Sequence, residues 1–398
     1  MGVMRPNRPV YLDNQSTTPC DPRVVAAMLP WFTERFGNPH SAEHALGREA
    51  GAAVDAARAE VAELIGGEAR EVVLVSGATE ANNLAIKGAA RFAAGQGGER
   101  RRVVTAATEH PCVLEAVRDL GAEGFEPVVL PVEPDGRLDP ARLRDALAVP
   151  TLLVSVMAAN NETGVLQDIA ALAAVAHETG ALFHTDAAQA AGKIALDVRA
   201  MNLDLLSLSG HKLYGPKGVG ALWVRRRPRV RLAPLFSGGG QERGLRSGTL
   251  PTPLVVGLGE ACRLARLEMA EEAARLALER DRLLAGLRAG VPDLRVNGTL
   301  THRLAGNLNL VFPGVTAQAL MAAVPDLCIS TGSACSSAEV STSHVLRAMG
   351  VAEPDARGSL RLGLGRFTSA ADVDFAAGAL AAAYRAEINH AQDDLRRA

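Results

Sequence analysis

The stretch LDLLSLSGHKLYGPKG, residues 203–218, decides how this chain folds. Its first half is a continuous apolar run, the pattern of a strand covered on both faces. The run ends at Ser209 and Gly210. Gly210 and Gly215 allow a sharp turn and the close approach of a ligand, and His211 and Lys212 stand between them. A basic pair therefore sits at the end of a buried strand.

Upstream, the same grammar repeats. EVVLVSG (71–77), RRVVTAA (101–107), EPVVLPV (126–132), TLLVSVMA (151–158) and ALFHTDAA (181–188) read as strands, and VGALWVR (219–225) follows the opening stretch. Alanine-rich helical segments lie between them, including GAAVDAARAEVAELIG, EANNLAIKGAARFAA, PCVLEAVRDLGAEG and DIAALAAVAHETG. Apolar strands alternating with helices predict an α/β fold with a mostly parallel, seven-stranded sheet sandwiched by helices. AAGQGGERRR (93–102) reads as an exposed loop. Downstream, a helical stretch from about Leu254 to Ala289 leads to LRVNG, AGNLNLVFPG and GSLRLGLG, which read as strands of a smaller α/β unit. We expect a large domain over residues 16–256. The smaller one would combine residues 1–15 and 257–398 and include the long linking helix.

Composition narrows the function. The 398 residues carry a formal net charge of -2, which gives no reason to expect nucleic acid or an anionic membrane as partner. No apolar run approaches a membrane span, and the first residues lack the apolar core of a signal peptide, so a soluble cytoplasmic protein is expected. The five cysteines, Cys20, Cys112, Cys262, Cys328 and Cys335, are odd in number and never spaced C-x-x-C. Neither a disulfide framework nor a zinc site is expected. Only Lys87, Lys193, Lys212 and Lys217 can supply a lysine amine.

Three strand ends carry candidate chemistry. In SGATEANNLAIKG (76–88) a small turn at Gly77 and Ala78 precedes a helix beginning near Thr79 or Glu80. Open N–H groups and the helix dipole favour an anion there, commonly phosphate. In HTDAAQ (184–189), Asp186 and Gln189 follow a buried strand, where the crevice of an open α/β sheet forms. In the opening stretch, Lys212 can form a Schiff base. Each has a plain alternative: a helix N-cap for the first two and a surface lysine for the third. Together they are the three fixed points of pyridoxal phosphate, holding its phosphate, its ring nitrogen and its aldehyde.

Nine motifs then agree in order with one family. YLDNQSTTP, SGATEANNLAIKG, TEHPCV, NNETGV, HTDAAQ, SGHKLYGPKG, RSGTLP, STGSACSSA and LRLGLGRFT span Tyr11 to Thr368. The chain resembles cysteine desulfurases of the NifS/IscS type, class-V aminotransferases of pyridoxal phosphate fold type I. The resemblance implies that Lys212 carries the cofactor, Asp186 pairs with its ring nitrogen and Gln189 reaches its ring hydroxyl. His110 would stack on the ring and serve as acid or base, and Asn161 would contact the ring. Gly77, Ala78, Thr79, Ser209 and His211 would hold the phosphate. Thr249 would reach the phosphate of the other subunit of a homodimer. Arg361 would clamp the substrate carboxylate, assisted by Asn38.

Cys335, among small residues in STGSACSSA, would be the nucleophile. It would take sulfur from L-cysteine, leave L-alanine, and pass the sulfur as a persulfide to an iron–sulfur scaffold or tRNA-thiolation protein. TGSAC matches the long-loop group of the family; Thr331 stands for a frequent Ser and NQSTTP for NNATTP. Cys20, Cys112 and Cys262 read as structural and Cys328 as a buried strand residue. Rival readings are a selenocysteine lyase, a serine–pyruvate-type aminotransferase, and a non-catalytic sulfur-handling module on the same fold.

Overall fold

The computed structural model describes residues 9–332 and 342–397. Its strands are β1 (Val10–Tyr11), β2 (Val72–Val75), β3 (Arg102–Ala106), β4 (Glu126–Leu130), β5 (Thr151–Ser155), β6 (Leu182–Asp186), β7 (Leu205–Ser209), β8 (Gly220–Val224), β9 (Arg295–Val296), β10 (Asn307–Val311), β11 (Leu327–Cys328) and β12 (Ser359–Gly363). Seven of them form one sheet in the order β2-β8-β7-β6-β5-β3-β4. Every pairing is parallel except those of β8, which runs against both β2 and β7. The reason is the opening stretch itself. Residues 210–219 return the chain without a crossover helix, so β8 comes back antiparallel.

β7 and β8 are buried at every position, as their continuous apolar runs require. Helices cover both faces of the sheet. One core contains Val104, Val154, Phe183 and Leu206; the other contains Val103, Leu153, Leu205 and Leu222. Adjacent strand residues point to opposite faces, so neighbours such as Leu205 and Leu206 belong to different cores. Aspartate caps several helices: Asp21, Asp139 and Asp168 each accept a backbone N–H from the first turn, and Pro22 and Pro140 follow at the first helical position.

A third core gathers Leu12, Leu308, Leu310, Phe312, Leu360 and Leu380. It packs around the antiparallel sheet β12-β10-β9 and the parallel pair β1-β11. The helix Thr252–Gly290 joins the two regions. At about 1.5 Å per residue it is about 58 Å long. Its first half buries Val255, Leu258 and Ala261 in the large core; Leu283, Leu284 and Leu287 near its end enter the small one. The boundary expected at residue 256 falls inside this helix. The expected loop at 93–102 is shorter, because the helix Ala78–Gly95 runs into it and β3 begins at Arg102.

No helix among the described residues is long and apolar enough to cross a membrane.

Candidate active site

A cleft of about 470 Å³ opens at the carboxyl ends of β2, β6 and β7 and reaches the strap at Gln15–Ser16 and Arg361 of β12. Gly77 turns the chain from β2 into the helix Ala78–Gly95 at φ 151°, a conformation that favours glycine. It offers no side-chain cap, so the first-turn N–H groups stay open. Ala78, Thr79, Ser209 and His211 line the same end of the cleft. Glu80 does not intrude: its carboxylate accepts the Ser76 N–H at 2.7 Å and the Arg246 Nε–H at 2.9 Å.

Asp186, the last residue of β6, is buried. Its Oδ1 accepts the Ala188 N–H at 2.8 Å and its Oδ2 accepts from Asn82 Nδ2 at 2.7 Å. Lys212 sits in the short turn after β7 and donates through Nζ to the carbonyls of Gln15 and Ser16, both at 2.6 Å. His211 Nδ1 meets Thr17 Oγ1 at 3.0 Å. Burial, with Lys212 and Lys217 nearby, lowers its pKa to about 4, so it is neutral here. Gln189 donates to the Gln15 carbonyl at 2.8 Å and accepts from Lys193 Nζ at 3.0 Å. That pair of contacts fixes which way its amide faces.

Arg361 arrives from the small sheet. It donates to Asn161 O at 2.9 Å, Asp13 Oδ1 at 2.7 Å and Ser16 Oγ at 2.6 Å. Its buried Nε has no hydrogen-bond partner among the described residues. A guanidinium that lines a cleft is suited to an incoming carboxylate.

His110 lines the cleft and caps the helix Pro111–Asp119. Burial lowers its pKa; Asp186 opposes this, and Lys212 and His344 add to it.

The cleft thus collects Gly77, Ala78, Thr79, His110, Asn161, Asp186, Gln189, Ser209, His211, Lys212 and Arg361. Asn38 and Thr249 are exposed and lie outside its lining. Cys335 lies outside the described residues. Cys112, read as structural from the sequence, lies in the cleft lining, its thiol within reach of His110 and Asn82. Position explains this placement. As the second residue of a helix capped by His110, Cys112 must sit beside that imidazole. Asp13, Gln15, Ser16 and Asn82 were also not foreseen. Only the TEHPCV spacing held a clue, and only for Cys112.

The donor set fits pyridoxal phosphate. An open helix N-terminus with hydroxyls suits the phosphate, a buried carboxylate suits a protonated ring nitrogen, and a lysine amine suits the aldehyde.

A family model described as aminotransferase class-V matches residues 10–375. The cysteine desulfurase IscS of Anaeromyxobacter dehalogenans is 55% identical over 368 residues, covering 92% of this chain and 90% of its own. Its counterpart in Rickettsia bellii is 50% identical over 368 residues, covering 92% and 89%. A solved NifS-like protein superposes with a TM-score of 0.87 at 34% identity, covering 95% of this chain and 99% of its own. The chain belongs to the class-V aminotransferase family and, within it, to the pyridoxal phosphate-dependent cysteine desulfurases of the NifS/IscS type.

Proposed function

We infer that the chain converts L-cysteine to L-alanine and holds the released sulfur as a persulfide on Cys335. One observation carries the reading. Lys212, Asp186 and His110 converge on one cleft, and Arg361 reaches into it from the other core. Pyridoxal phosphate, when bound, supplies the electron sink for this chemistry.

The chain's own residues do the rest. Gly77, Ala78, Thr79, Ser209 and His211 hold the phosphate end. Asp186 would keep a proton on the ring nitrogen, and Gln189 would serve the ring hydroxyl. His110 and Asn161 would contact the ring. Arg361 would bind the amino acid's carboxylate. Lys212 would hold the cofactor aldehyde, and its amine would carry the Cα proton. Cys335, as a thiolate, would attack the substrate sulfur; the Cβ–S bond breaks, its electron pair stays with the carbon fragment that is protonated to alanine, and Cys335 is left as the persulfide.

A homodimer completes the site. Exposed Leu29, Phe32 and Phe36 lie just before Asn38 and form an apolar surface suited to a second copy. Dimerisation would bring Thr249 to the cofactor phosphate of the partner's cleft. Cys20, Cys112, Cys262 and Cys328 are all free thiols, which suits a reducing compartment such as the cytoplasm. The acceptor of the sulfur is an iron–sulfur scaffold or a tRNA-thiolation protein.

The test is alanine and sulfide release from L-cysteine with a reductant, comparing wild type with Cys335→Ala. Both products from the wild type and neither from the variant support the reading. Equal alanine from both would remove Cys335 from the mechanism.

A further inference from the structure

Cys112 joins two polar elements of the cleft, His110 on one side and the Asn82–Asp186 pair on the other. Its backbone N–H donates to His110 Nδ1 at 3.2 Å, and its Sγ lies 3.0 Å from that same nitrogen. On its other side, Sγ accepts from Asn82 Nδ2 at 3.2 Å. That amide nitrogen also donates to Asp186 Oδ2 at 2.7 Å. Asp186, Asn82, Cys112 and His110 are thus linked in one chain of hydrogen bonds. With a backbone N–H already aimed at it, Nδ1 is an acceptor, so the imidazole proton is on Nε2.

We propose that Cys112 is a positioning residue for His110: its S–H donates into Nδ1, keeps the ring neutral, and leaves Nε2–H as the hydrogen-bond donor His110 offers to the cleft. The proposal rests on the reading of His110 as a ring-facing residue of a desulfurase. A protonated Nδ1 would have to turn its N–H toward two donors, so each donor disfavours the imidazolium.

The surrounding charges agree. The titratable groups facing His110 are Asp186 at the end of β6, Lys212 after β7, and His344 from the helix His344–Ala348. His344 spends its Nε2 on the Glu109 carbonyl at 3.0 Å. Burial, then the neighbouring Asp186, pushes the Cys112 thiol up to about 12. At neutral pH it therefore keeps the proton it has to donate, and it offers no second thiolate to compete with Cys335.

The experiment uses the cofactor-loaded enzyme with ¹⁵N-labelled histidine, as wild type, Cys112→Ala and Cys112→Ser. The His110 nitrogen resonances, assigned with His110→Gln, report the tautomer and its titration; the acid limb of kcat for alanine release is followed in parallel. We expect the Nε2–H tautomer in the wild type. In Cys112→Ala the His110 titration and the acid limb both move up by roughly half a pH unit, the worth of one weak donor. In Cys112→Ser, whose hydroxyl can donate, both stay at the wild-type position. An Nδ1–H tautomer in the wild type, or an unshifted titration in Cys112→Ala, overturns the proposal. A wild type that makes no alanine while its His110 resonances follow the expected pattern refutes the desulfurase reading and upholds the positioning role.

Discussion

The two ends of the cleft are built by different means. At the sheet end, strand ends and helix starts place the side chains, and local contacts hold some of them. Asp186 accepts the N–H of Ala188, two residues on, and His110 caps the helix that begins next to it. At the seam between the cores, Arg361 is held by residues 348, 345 and 200 positions away in the chain. The strands and their turns place the sheet end, and the strap at Gln15–Ser16 then receives Lys212 and Gln189. The seam exists only after the small core has docked along the helix Thr252–Gly290. The cofactor therefore meets side chains placed by the strand ends of one sheet, while the substrate carboxylate meets a group brought in from the other core.

The comparison is broken most severely at Lys212. Lys212→Ala removes the amine that receives the cofactor aldehyde and moves the proton. Alanine release should fall by at least about a thousandfold, with loss of the visible absorbance of lysine-bound cofactor. Retained absorbance at the wild-type wavelength would mean that another lysine can serve, and that the sheet end is less fixed than its geometry says.

Arg361→Ala tests the seam. Losing a charge-assisted contact to a carboxylate is worth roughly 2–3 kcal/mol, so KM for L-cysteine should rise by about 30- to 150-fold. Cofactor absorbance should not change. A fall in kcat with KM unmoved would place Arg361 at the chemistry rather than at substrate binding.

Asp13→Asn is the finer probe of the same end. Asp13 holds Arg361 Nη2 at 2.7 Å and its side chain is partly exposed. The neutral amide can still accept a hydrogen bond but no longer matches the charge. A KM increase of about three- to tenfold, with kcat nearly unchanged, is expected from losing about 1 kcal/mol of orientation. An effect as large as that of Arg361→Ala would show that the seam works as one indivisible unit.

The same contrast explains what could be read from the sequence. Gly77, Asp186 and Lys212 stand at strand ends, and strand, turn and helix signals are local, so their convergence follows from an α/β sheet. Asp13, Gln15 and Ser16 carried no such signal. Their roles come from β1 pairing with β11 and from Asp13 bridging to Gly363, contacts far apart in sequence. Asn82 was hidden for another reason. In SGATEANNLAIKG it is one polar residue on a helix, and only the packing of that helix over the sheet turns it toward Asp186. The resemblance to a family supplied Arg361; no local pattern around LRLGLGR would have.

One chain of contacts ties the two ends together and gives the smallest expected effect. Lys193 Nζ donates to Gln189, Gln189 donates to the Gln15 carbonyl, and that carbonyl also receives Lys212 Nζ. Burial, then the nearby Lys212, lowers the Lys193 pKa from 10.5 to about 7, with Glu272 opposing. In the unfolded chain the amine keeps its ordinary value. Between about 7 and 10.5 the unfolded state therefore binds a proton that the native state lacks, so this group makes stability rise with pH. Below that window both states are protonated and the full penalty for the buried charge remains. Lys193→Met has no such term. Wild type should therefore gain stability relative to Lys193→Met as pH is raised through the window, as read by urea denaturation at a series of pH values. The lost hydrogen bond to Gln189 adds an offset present in both charge states, because the neutral amine still donates, though more weakly. A gap that stays level across the window would mean that Lys193 is protonated in the native state throughout. The link between the two ends of the cleft would then carry a permanent positive charge beside Lys212.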